Sequence, residues 1–301
     1  MKKHIKYIAM ILIIVVIVIT LVMANNTQAK EEDGKFKMVT SFYPIYVMTA
    51  NITEGAQNIE LLNMAEVNGG CVHDYTLTTA DMKKVETADA FIQNGLGLEG
   101  FITKVTESNK EMKLIDSSEN IENLIKEDDE TNPHIWTSIS NYIDQVKNIT
   151  EELKQANPEN AEIYEKNSKE YIEKLEQLNL KYNTELQNLK GKSAVILNES
   201  FEYLARDLGL NSIVVHISQE ESTMSAEMLK NIIDEMKQKG TKIIIVDVND
   251  DLKNAQTIAN ETGAEIYKLN SGVSGDLKRE AYVEIMNSNL EELKQIASRN
   301  N

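Results

Sequence analysis

The sequence predicts an α/β protein of two lobes, each a parallel sheet flanked by helices, joined by one long rigid helix. Three observations carry this reading. Short apolar runs of strand length alternate with helical segments from residue 36 onward, and the same alternation returns after residue 190. Between them lies Pro158 to Leu189, a stretch of about thirty residues with no glycine and no further proline.

Residues 1–35 stand apart from the fold. Lys2, Lys3 and Lys6 precede an apolar run from Tyr7 to Ala24 with Thr20 as its only polar interior residue, and a polar segment, Asn25 to Gly34, follows. This is the pattern of an export signal. The run approaches the ~17 to 25 residues that span a bilayer and exceeds the ~7 to 15 of a cleavable core. An uncleaved membrane anchor therefore competes with cleavage after Thr27-Gln28-Ala29. No cysteine closes the run, so a lipid-modified N-terminal cysteine is excluded. The basic flank stays inside, which delivers the rest of the chain outside, either secreted or anchored at the extracellular face of the cytoplasmic membrane.

In the first lobe, 36–157, Lys37 to Ser41, Ile59 to Met64, Ala90 to Gln93 and Lys113 to Asp116 read as strands separated by amphipathic segments of helical period. The connector, 158–189, opens with Pro158 in the first turn, where a missing N–H costs nothing. Ala161, Tyr164, Ser168, Tyr171, Leu175, Leu178 and Tyr182 recur at spacings of three and four, giving a helix on the order of 45 Å long at ~1.5 Å per residue. This narrow stripe suits a helix lying along the backs of two lobes; a coiled-coil partner would use the same stripe. The second lobe, 190–301, has strands at Ala194 to Leu197, Ile213 to Ile217, Lys242 to Val248 and Glu265 to Leu269, and a last helix from Leu277 to Ala297. A run such as Ile243-Ile244-Ile245-Val246 is expected where helices cover both faces of a parallel sheet.

Composition narrows the function. With 48 acidic against 31 basic residues and a formal net charge of -17, the chain has no bulk attraction for nucleic acid or an anionic membrane. Its single cysteine, Cys71, excludes an internal disulfide framework and a multi-thiolate zinc site. In open α/β sheets, ligands bind beyond the carboxyl ends of the strands. His73, in Gly69-Gly70-Cys71-Val72-His73-Asp74-Tyr75, follows the second strand. His134, in Asn132-Pro133-His134-Ile135-Trp136, follows the acidic run Glu127 to Glu130 and precedes a helix. Neutral imidazole is a favoured ligand of zinc and its first-row neighbours, and two such histidines in polar loops of one lobe point to a metal. His4 lies in the export segment. His216 sits in a strand, where packing against a covering layer competes with a place at the strand's carboxyl end. Nucleophile elbow, phosphate-binding glycine loop and His-Glu-x-x-His helix are all missing. A zinc hydrolase needs three firm ligands, a water and a base, and the sequence supplies two firm ligands, so an enzyme is not expected.

Phe42-Tyr43-Pro44, His73-Asp74-Tyr75, the run Ala88 to Glu99 containing Asn94-Gly95-Leu96-Gly97-Leu98-Glu99, Asn132 to Trp136, and Phe201 to Leu210 occur in order over nearly all of 36–299. In these the sequence resembles the zinc and manganese ABC-transporter solute-binding proteins. The resemblance implies two lobes with a rigid linking helix, a divalent ion, Zn2+ more than Mn2+, held as cargo in the cleft, and delivery to an ABC permease in the membrane. It places the first two metal ligands on His73 and His134. The third falls on Asn198, whose neutral carbonyl is a weak zinc donor, with Glu199 beside it as a substitute. The fourth falls near Ser271, leaving Asp247 or Asp276 to supply a carboxylate; Cys71, two residues before His73, is a possible thiolate donor. If the second lobe has lost its donors, the alternative is a degenerate member serving as a surface adhesion or interaction module, or binding another solute.

Overall fold

The computed structural model describes residues 34–65, 75–127, 130–215 and 224–299. His73, Cys71, His216 and the export segment before residue 34 lie outside the described residues. In the first lobe β1 (Phe36–Thr40) pairs in parallel with β2 (Ile59–Asn63) on one side and β3 (Ala90–Gln93) on the other, and β4 (Lys113–Asp116) lies beyond β3. Helices α1 (Tyr43–Ile52), α2 (Thr79–Glu86), α3 (Ile102–Ser108) and α4 (Ile139–Ala156) connect and cover these strands. The acidic run contributes a short antiparallel pair, β5 (Lys126–Glu127) with β6 (Glu130–Thr131). Its sequence has no strand periodicity to announce it.

The linking segment is a turn at Pro158–Asn160 followed by α5 (Ala161–Glu185). Tyr164, Ser168, Tyr171, Leu175, Leu178 and Tyr182 are its buried positions, as the spacing predicts. The stripe is filled from within the chain. It packs on α1 and α4 of the first lobe and on the last helix of the second, and the Tyr182 hydroxyl donates to the Met286 carbonyl at 2.6 Å.

In the second lobe β7 (Ser193–Ile196), β8 (Asn211–Val214), β9 (Ile243–Asp247) and β10 (Glu265–Leu269) form a parallel sheet in the order β10-β9-β7-β8, with α6 (Glu202–Asp207), α7 (Ala226–Lys239), α8 (Lys253–Thr262) and α9 (Ala281–Arg299) around it. Successive side chains of a strand leave opposite faces, and both faces here are apolar. Ala194, Ile196, Ile243 and Ile245 join the core that continues into the first lobe, whereas Val195, Ile244 and Val246 pack with Ile232, Met236 and Ile258.

Two element starts differ from the periodicity by more than one residue. β8 starts at Asn211, because the Asn211 N–H donates to the Lys192 carbonyl and sets the register against Ser193. The last helix starts at Ala281, not Leu277, because the preceding loop is strapped to the first lobe. Tyr43 donates to the Asp276 carbonyl at 2.7 Å, Asn51 to the Arg279 carbonyl at 2.8 Å, and Arg279 pairs with Glu54. A Cβ at Gly275 would lie 2.5 Å from the Tyr43 hydroxyl, so the strap needs glycine there.

Both sheets have a point at which successive connections run to opposite sides. It falls between β1 and β3 in the first lobe and between β7 and β9 in the second. Ligands in such sheets bind in the crevice at the carboxyl ends of these central strands. That directs attention to Ser41 and Asn94 in one lobe and to Asn198 and the 247–250 loop in the other.

Candidate metal centre

Asn94 follows β3 and carries the His134 turn. Its Nδ2 donates to the Pro133 carbonyl at 2.9 Å, while Gln145 of α4 donates to its Oδ1 at 3.0 Å. The loop around it is built on Glu99, 2% exposed, whose carboxylate accepts the backbone N–H groups of Asn94 and Gly95 at 2.7 and 3.1 Å. Burial pushes the Glu99 carboxyl up to about 7 against the opposing effect of those hydrogen bonds. Gly95 has φ 89°, and a Cβ there would sit 2.1 Å from Asp116 Oδ1. The glycine of the Asn94-to-Glu99 run is therefore required by backbone conformation and by crowding.

His134, 1% exposed, precedes the turn Ile135–Thr137 that leads into α4. Asn132 Oδ1 accepts from both the His134 backbone N–H and ring Nδ1, each at 2.9 Å. The Asn132 amide orientation follows from its other end, because Nδ2 faces two acceptors, Glu202 Oε2 at 2.8 Å and the Glu199 carbonyl at 3.3 Å. Nδ1 of His134 therefore carries the proton, and Nε2 carries the lone pair a metal needs. The ring also lies 5.2 Å from that of Trp136, centroid to centroid.

The same turn is bonded to the second lobe. Trp136 Nε1 donates to the Ser271 carbonyl at 2.8 Å, Thr137 Oγ1 to the Ser200 carbonyl at 2.6 Å, and the Tyr203 hydroxyl to the Asn132 carbonyl at 2.7 Å. Tyr282 of α9 donates to the Trp136 carbonyl at 3.0 Å.

At the second lobe's switch point Asn198 follows β7. Its Oδ1 accepts the Ser200 N–H at 3.1 Å, and its Nδ2 faces both oxygens of Asp250 at 3.2 and 3.3 Å. Burial raises the Asp250 carboxyl above its ordinary range, offset in part by the Asp247 N–H and Asn198. Glu199 opens the turn Glu199–Phe201, and its carbonyl receives Asn132. Asp247, 2% exposed, spends its carboxylate on the loop: Oδ1 accepts the backbone and side-chain N–H groups of Asn249, and Oδ2 accepts the Ser271 N–H at 2.7 Å. The Ser271 main chain is thus held on both sides, by Asp247 and by Trp136. The Asp276 carboxylate is 73% exposed and pairs with Lys278 on the surface, away from this cluster of loops.

The fold therefore brings His134, Asn198, Glu199, Asp247 and Ser271 into one connected set of loops, and adds Asn132, Asp250 and Glu202, which the sequence reading does not single out. Position alone offered a signal for Asp250, which lies in the loop after a central strand. Among the described residues no three His, Cys, Asp or Glu side chains form a metal-holding group. What the described part presents is one oriented imidazole in a turn hydrogen-bonded to the loops that carry Asn198 and Ser271; imidazole nitrogen is a donor that suits zinc and neighbouring divalent ions.

Comparison with known proteins bears on the fold and the family. Residues 38–296 match the family model for zinc-uptake complex component A, periplasmic. The chain is 31% identical over 300 residues to the zinc-binding protein AdcA of Streptococcus pyogenes, covering 89% of this chain and 58% of that protein, so it spans little more than half that relative's length. It is 29% identical over 287 residues to the high-affinity zinc uptake system protein ZnuA of Bacillus subtilis, covering 88% of this chain and 89% of that one. Among solved structures, a manganese-bound periplasmic metal-binding protein of Candidatus Liberibacter asiaticus superposes with a TM-score of 0.78 at 28% identity, covering 87% of this chain and 100% of that one. With a family model matched over most of its length and a two-lobe fold shared with metal-binding proteins, the chain belongs to the family of the zinc-uptake complex component A.

Proposed function

We propose that this protein is an exported solute-binding protein that captures a divalent transition metal between its lobes, zinc in preference to manganese, and passes it to an ABC permease in the membrane. The observation that carries the reading is His134, whose ring is held by Asn132 with Nε2 as the donor atom, in a turn bonded to the second lobe. His73 supplies the second imidazole. We assign Asn198 and Glu199 of the loop after β7 as further donors, and Asp250, hydrogen-bonded to Asn198, as the carboxylate that completes the set; Asp247, Ser271, Asp276 and Cys71 rank below it. Two imidazoles favour zinc over manganese, which forms weaker complexes with nitrogen donors. The chain acts by binding and release, without catalysing a reaction on its cargo.

Calorimetric titration of the full-length chain in detergent with zinc and with manganese, beside a His73→Ala, His134→Ala variant, tests this. Stoichiometric zinc binding that disappears in the variant is expected. Affinity should also fall as pH drops toward the ~6.5 of an ordinary imidazole, since protons compete for the same lone pairs. Absence of specific binding to the unmodified chain would reject the metal receptor and favour a surface-interaction module.

A further inference from the structure

We propose that Asn132 is a positioning residue that sets which ring nitrogen of His134 faces the metal and ties that setting to the second lobe. The proposal rests on the metal-receptor reading above and deepens it. An asparagine side chain offers one carbonyl oxygen and two N–H protons, and here each has a partner. Oδ1 accepts from the His134 main chain and from Nδ1, both in the first lobe. Nδ2 donates to Glu202 Oε2 and to the Glu199 carbonyl, both in the second. Turning the amide over would oppose its N–H protons to the donors of His134 and its oxygen to the Glu202 carboxylate, so all four hydrogen bonds stand or fall together. The Asn132 carbonyl is fixed in addition by the Tyr203 hydroxyl, which itself accepts the Ile125 N–H at 3.1 Å.

The chemistry selects an amide at this position. An aspartate would still receive both His134 donors but would set its second oxygen against Glu202 where Nδ2 now lies, 2.8 Å away, so the two carboxylates would repel each other unless one took up a proton. An alanine would leave Nδ1 of His134 without the acceptor that fixes its proton. Because the orienting amide is itself held by Glu199 and Glu202, movement of the second lobe away from the first releases the amide, and the His134 ring loses its fixed tautomer. Metal affinity is thereby coupled to lobe contact: closed lobes present Nε2, and separated lobes let the ring reorient. Partners of this outer kind change metal affinity by ~10- to 100-fold when removed.

The test uses the full-length chain labelled with 15N-histidine. Long-range 15N–1H correlation spectra of the metal-free protein report the tautomer, and the His134 signals are identified by their loss in His134→Ala. The wild type is expected to show His134 protonated on Nδ1. Asn132→Ala should lose that signature and bind zinc ~10- to 100-fold more weakly while unfolding cooperatively. Glu202→Ala should lose part of both, and Glu202→Gln, which keeps an acceptor for Nδ2, should restore them. A folded Asn132→Ala with unchanged tautomer or unchanged affinity overturns the proposal. Should that variant fail to fold, the Glu202 pair decides, and an unaltered tautomer in Glu202→Ala overturns the coupling. If the wild type binds no zinc, the receptor reading fails by itself, and the spectra of the metal-free protein still confirm or overturn the positioning by Asn132.

Discussion

Glu99 illustrates how a single residue can support a site without touching it. Its carboxylate organises the loop that carries Asn94, and through Asn94 the Pro133 carbonyl beside His134. Burial holds its carboxyl at about 7, above the ~4.3 of an unfolded chain. The folded state thus binds the proton more tightly than the unfolded one. The stability this contributes is complete below the unfolded value and is lost as pH rises through about 7. Glu99→Gln removes the titration but sets an NH2 group against one of the two backbone donors, so it should be less stable than the wild type near pH 4, with that gap narrowing as pH rises to 8. Urea unfolding at the two pH values measures this, and a gap independent of pH would show that Glu99 titrates normally.

At the scale of elements, the start of α2 is set by local chemistry readable in the chain. Thr78 and Asp81 form a reciprocal capping box: the Asp81 N–H donates to Thr78 Oγ1 at 3.2 Å and the Thr78 N–H to Asp81 Oδ2 at 2.9 Å. The Tyr75 hydroxyl adds a bond to the same carboxylate at 2.7 Å. Such caps satisfy orphan N–H groups of the first helical turn. Thr78→Ala should cost ~1 kcal/mol, read as a lower denaturant midpoint with an unchanged slope. A change below a few tenths would mean that Asp81 and Tyr75 hold the turn alone. β3, β4 and β10 occupy the residues that apolar periodicity predicts, because their ends coincide with loss of the apolar run. β8 and α9 do not, because a register partner and a strap from the other lobe decide where they begin.

For the molecule as a whole, the lobes share an apolar core and the strap at Tyr43 and Asn51, and a further set of buried hydrogen bonds between them gathers at the His134 turn. Thr137 Oγ1 lies between the His134 carbonyl at 3.0 Å and the Ser200 carbonyl at 2.6 Å, and the residue is 3% exposed. Thr137→Val preserves the shape and strands a buried carbonyl, at a cost of ~1 to 3 kcal/mol. Because the lost bond crosses between the lobes, the variant is expected both to unfold at lower urea and to bind zinc more weakly. Loss of stability with unchanged zinc affinity would show that this contact does not help to set the closed arrangement.

The sequence by itself determined the two α/β halves, the connecting helix with its buried tyrosine and leucine stripe, and His134 as a residue of interest. These depend on periodicity and on short motifs, and neighbours along the chain are enough to specify them. Only the tertiary structure decided that the amide of Asn132 orients His134 from between the lobes, that Asp250 stands beside Asn198, and that Asp247 is consumed in holding the Ser271 loop. The hold of Glu199 and Glu202 on Asn132 joins the two lobes, and placing β7 next to β9 is what brings the Asn198 and Asp250 loops to the same crevice. Hydrogen bonds of this kind depend on where the sheets place their loops, which no local pattern of residues encodes.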